Sequence, residues 1–256
     1  MRKRERKMMN ALLTRQRRDR WNSRSLGIIA MIGFLILWLN ACSSGSPDAA
    51  NTNKAATPAT PSPTLTRTEI VPGSLANAGE YGENIYDYAK ANNWKMADAK
   101  LAALKDAIKQ VHTDVKNQST AVDHLDTNAA ALDRAVAAKD RQAAMQEANQ
   151  VTLDVANMTT GYKLSVPVEV TKLDYYGREL EVWAQVKDAT KLQATAREMR
   201  QTWDSLRPTI AAKSTTEANK FESLVAQVES TKTPADYDRV ATPVLDEVDN
   251  LEKLFH

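Results

Sequence analysis

The chain has 256 residues, 43% of them hydrophobic and 26% charged, with a formal net charge of +2 and a single cysteine. One cysteine excludes an intramolecular disulfide and the Cys-x-x-Cys-His site of covalent haem. A folded region must therefore hold together through its apolar core.

The first segment, "MRKRERKMMNALLTRQRRDRWNSRS", is strongly basic, and "LGIIAMIGFLILWL" follows at Leu26 to Leu39. Basic, then apolar, then small residues is the order of an export signal. The apolar run is shorter than the roughly 20 residues that span a bilayer core, so a single-pass signal anchor is the alternative reading. Leu39-Asn40-Ala41-Cys42 resembles the lipobox of bacterial lipoproteins. That resemblance implies cleavage before Cys42, a diacylglycerol on its thiol and a lipid anchor on the exported side of the cell membrane. The membrane is then a partner through lipid on Cys42. Removing residues 1–41 leaves 24 basic and 30 acidic groups, a net charge of −6. A mildly acidic domain without a long basic stripe is not built for nucleic acid.

Residues 42–75 are rich in Pro, Thr, Ala, Ser and Asn, with Pro58, Pro61 and Pro63 close together. Too few apolar side chains offset ordering entropy there, so a disordered tether is expected.

Beyond it the pattern predicts an all-α protein: two tandem antiparallel four-helix units, at 76–163 and 164–256. Trp94, Ala97, Leu101, Leu104, Ile108, Val111 and Val115 alternate in steps of three and four, one helical stripe. Val122, Leu125, Ala129, Leu132 and Val136 form another, as do Leu192, Ala196, Met199, Trp203, Leu206 and Ile210. Candidate N-caps are Asn93, Ser119, Asp140, Asp188, Ser214 and Thr233. Ser214 to Glu217 fits a capping box, and Thr233-Pro234 puts proline in a first turn. The chain also repeats itself: "YGENIYDYAKANNWKMADAKLAALKDAIKQV" from Tyr81 matches "YGRELEVWAQVKDATKLQATAREMRQTWDSL" from Tyr176. Further on, Leu132 to Val136 falls on Leu224 to Val228, and Leu153-Asp154 on Leu245-Asp246, which requires a three-residue deletion in the middle turn. The order of helices and short breaks, carried by "AQVKDATKLQATAREMR" from Ala184, resembles the small periplasmic b-type cytochrome with a four-helix bundle. That family holds haem with a methionine in its first helix and a histidine near the end of its fourth. Neither first helix here has a methionine, and the fourth-helix ends offer Met158, Thr159 and Leu251, so no cofactor is expected.

The sequence has no His-Glu-x-x-His, no Glu-x-x-His pair and no glycine-rich phosphate loop. His112 and His124 flank one predicted turn, with Asp114, Asp123 and Asp126 nearby, and are the candidate metal ligands. Trp94, Trp183, Trp203, Tyr86, Tyr88, Tyr175 and Tyr176 either fill the core or line a pocket, with core the expectation. Tyr175, Arg178, Glu179 and Trp183 lie in "VPVEVTKLDYYGRELEVWAQ", read as a seam between units or a partner site. The expected role is non-catalytic: binding or scaffolding at the cell envelope, with an envelope protein as partner. The alternative is a metal- or small-ligand-binding envelope protein.

Overall fold

The computed structural model describes residues 70–115 and 118–256. The expected signal peptide, the lipobox with Cys42 and the tether up to residue 69 lie outside the described residues. Those described form eight α-helices: α1 Gly73–Lys90, α2 Trp94–Asp114, α3 Ser119–Ala137, α4 Arg141–Thr159, α5 Val168–Val186, α6 Ala189–Lys213, α7 Thr215–Ser230 and α8 Pro234–Lys253. The helices pack antiparallel, as an all-α chain with short connections must. Helix α1 begins inside the stretch expected to be tether, because Leu75 is fully buried and draws that turn into the core.

Two apolar cores result. One is built from α1 to α4, the other from α5 to α8, and each expected stripe faces into its own core. Within each quartet the first helix packs on the second and fourth, and the third packs between them; α4 against α5 joins the quartets.

Three of the tight turns share one device. Asn92, Lys139 and Lys187 adopt left-handed backbone with φ of 55°, 54° and 61°. The next residue then closes the finished helix with its N–H: Asn93 to Tyr88 O, Asp140 to Ala135 O and Asp188 to Trp183 O. The same three residues open the next helix by accepting from the N–H of Met96, Ala143 and Lys191. Ser214 and Thr233 also cap as expected. Ser119 does not: it is the first residue of α3, after Gln118, which makes no side-chain cap. The capping box is half made, since Glu217 N–H donates to Ser214 Oγ while its carboxylate takes Lys220.

The repeated Tyr-Gly has a packing reason. A Cβ at Gly82 would lie 3.0 Å from Thr152 Oγ1 and 3.1 Å from Ala148 O; one at Gly177 would lie 2.6 Å from Leu245 Cδ2. In both quartets the glycine lets the first helix approach the fourth at equivalent places, Val151-Thr152 and Val244-Leu245. That equivalence shifts the register expected for the second halves. The buried residues Val122, Leu125, Ala129 and Leu132 correspond to Ala218, Phe221, Val225 and Val228, and Leu224 is only half-buried. Helix α7 has 16 residues against 19 in α3, so the shortening falls at the end of the third helix rather than in the middle turn.

Candidate functional site

Helices α4 and α5 are buried on more than one face, because each serves its own core and the junction between the quartets. Val182 of α5 reaches the first core, and Trp183 packs against both. Around them lies a polar layer. Tyr86 Oη donates to Glu181 Oε2 at 2.9 Å, and Lys90 Nζ bonds Glu181 Oε1 at 2.6 Å. Asn149 Nδ2 donates to Glu179 Oε1 at 3.0 Å and Tyr175 O at 3.1 Å, and the Trp183 indole donates to Glu179 Oε2. The Arg178 guanidinium lies 4.8 Å from the Tyr86 ring centroid, with Nε 2.8 Å from Asp174.

The electrostatics follow from burial. Desolvation pushes the Glu179 carboxyl up, against the hydrogen bonds from Asn149 and Trp183. Burial, then Glu181, raise the Tyr86 phenol well above its ordinary value. Burial works against the Arg178 cation, yet Asp174, Asp87 and Glu83 hold its pKa above the usual arginine value.

Beside this layer is a groove of about 310 Å³, formed by Val71, α1, α4, the segment 164–166 and the start of α5. Gly79 lets α1 lie close to α4 along it: a Cβ there would meet Val155 Cγ1 at 3.1 Å. Its apolar walls are Val71, Val155, Val166 and Val168. Its polar lining is Glu80, Glu83, Thr152, Thr159, Ser165 and Thr171. Thr152 Oγ1 donates to Ala148 O at 3.2 Å and Thr159 Oγ1 to Ala156 O at 2.7 Å. Both hydroxyl protons are spent on their own helix, and Thr152 is buried against Gly82. Among the described residues that line the groove there is no Lys, Arg or His.

The sequence pointed to other residues. His112 Nε2 lies 3.0 Å from Asp126; burial raises the pKa of the Asp154 carboxyl, and Asn128 and His124 work against that. Among the described residues no three His, Cys, Asp or Glu side chains form a group able to hold a metal ion. Met158 and Leu251, at the fourth-helix ends, are both core residues. Tyr86 and Trp203 are fully buried, and Trp203 packs against Phe221 with ring centroids 4.7 Å apart and planes tilted by 48°; none of the aromatics singled out lines the groove. Among the described residues no helix is long and apolar enough to cross a membrane. Comparisons with family models, curated proteins and solved structures find no match to this chain.

Proposed function

We propose that this is a lipid-anchored protein of the bacterial cell envelope whose helical part has a non-catalytic binding or scaffolding role. The observation that carries the reading is the order of segments: a basic leader, an apolar run, Leu39-Asn40-Ala41-Cys42, a Pro/Thr/Ala-rich stretch and then the eight-helix body. A thiolate is the side-chain nucleophile best suited to take a lipid, and acyl chains hold a protein at a membrane by about 0.8 kcal/mol per buried CH2. The test is partition in a detergent that phase-separates. The native chain enters the detergent phase and Cys42→Ala leaves it; equal partition of the two removes the anchor.

A second reading is small-ligand binding by the helical body. The groove at the junction favours it, since concave, partly apolar sites with a few convergent polar groups are where small molecules bind. Titration of the purified chain with a panel of small amines, acids and alcohols tests it.

A further inference from the structure

The start of α7 and the second half of α8 bring two carboxyl groups together. Glu217 lies in the first turn of α7, where the free N–H groups of a helix start favour an anion. Lys220 Nζ bonds its two oxygens at 2.9 and 3.1 Å, and Lys253 adds a second positive charge. Glu247 of α8 is 8% exposed. Its Oε2 accepts from Asn250 Nδ2 at 3.0 Å, while its Oε1 is shut off from water and receives no hydrogen bond among the described residues. The Glu217 carboxyl lies within hydrogen-bond reach of Glu247. Two ionised carboxylates offer acceptors only, so they repel and cannot bond each other. A buried oxygen without a donor is costly as well. One proton between the two groups removes both problems. Its place follows from the surroundings: Glu217 has the lysines and the helix start to favour its anion, and Glu247 has burial to favour its acid.

We propose that Glu217 and Glu247 share one proton, carried by Glu247 and donated to the Glu217 carboxylate, and that this proton latches the first turn of α7 to α8. The groups that act most strongly on Glu247 are Glu217 and Lys220 of α7 and Asn250 of its own helix. On the other helices packed against α8, Asp174 of α5 is paired with Arg178, and Lys213 of α6 donates to Leu254 O. The two carboxyls titrate as a pair. Burial and Glu217 hold the Glu247 carboxyl above the ordinary glutamate value, and the bonds from Glu247 and Lys220 hold Glu217 below it. The raised group contributes stability that is full below its unfolded pKa and is lost as pH rises through the folded one. The lowered group contributes stability that is full above its unfolded pKa and is lost as pH falls through the folded one. The latch is therefore strongest between the two folded values.

The experiment is carbon-13 NMR titration of the side-chain carboxyls in the full-length chain, native and Glu217→Gln. In the native chain Glu247 titrates above the ordinary glutamate range and Glu217 below it. Glu217→Gln supplies an amide donor in place of the acceptor, and the proton affinity of Glu247 falls about tenfold or more. A Glu247 that titrates in the ordinary range overturns the proposal. A raised value that Glu217→Gln leaves unchanged also overturns it, because burial alone then holds the proton. Thermal melts of Glu247→Gln give a second readout that needs no change at Glu217. This variant keeps an N–H donor toward Glu217 and does not titrate. The Tm of the native chain relative to Glu247→Gln is expected to fall between about pH 5 and about pH 8; a difference that stays constant over that range contradicts the latch.

Discussion

A carboxylate removed from water must find donors or take up a proton. Glu179, 8% exposed, has the Asn149 amide and the Trp183 indole as donors, yet burial still raises its pKa. A carboxyl whose folded pKa lies above its unfolded value stabilises the fold fully below the unfolded value. That contribution fades as pH climbs through the raised folded value. Glu179→Gln has no such dependence, so the Tm of the native chain relative to E179Q is expected to be higher near pH 4 than near pH 7. The same difference at both pH values contradicts this. The turn lysines offer a second test. Left-handed backbone costs an L-residue about 1–2 kcal/mol, and glycine avoids most of it. Lys139→Gly and Lys187→Gly are expected to stabilise by about 0.5–1 kcal/mol in denaturant melts. Asn92→Gly changes less, because asparagine already tolerates that region.

At the scale of helices, capping and close approach decide the outcome. Asn93, Asp140 and Asp188 each close one helix by backbone and open the next by side chain. Replacing any of them with alanine is expected to cost about 1 kcal/mol, and Ser119→Ala close to nothing. Equal losses at all four would contradict the cap assignment. Gly82 faces the backbone oxygen of Ala148, which cannot step aside as a side-chain methyl can. Gly82→Val is expected to cost about 3 kcal/mol, at the upper end of overpacking. Gly73→Ala, with nothing within 4 Å of the added atom, serves as the neutral control. The stripes of α2, α3 and α6, the breaks and five of six caps were legible in sequence because they rest on local period and local chemistry. The start of α3 was not: Ser119 is a good cap by type, and only its backbone shows that Gln118 holds the place. The groove was also missed. Its signal was present in the small residues Ala76 and Gly79 of α1, and in Thr152 and Ala156 of α4. These mark close helix approach, which a search for large apolar stripes passes over. Burial of Arg178, Glu179 and Glu181 on α5 follows from tertiary packing on two sides, which a single-face periodicity cannot express.

Over the whole molecule, two apolar cores meet through a charged and hydrogen-bonded layer. A partly buried ion pair such as Lys90–Glu181 is weak evidence for stability, since desolvation of Glu181 offsets much of its attraction. Its geometry instead ties α1 to α5, because Glu181 accepts from both Lys90 and Tyr86. The proposed lipid anchor depends on Cys42. The most direct measurement is the intact mass of the chain extracted from its native membrane, beside Cys42→Ala. The account predicts cleavage before Cys42 and the added mass of a diacylglycerol, both lost in the variant. An uncleaved chain without lipid would contradict it and leave the basic leader on a signal anchor.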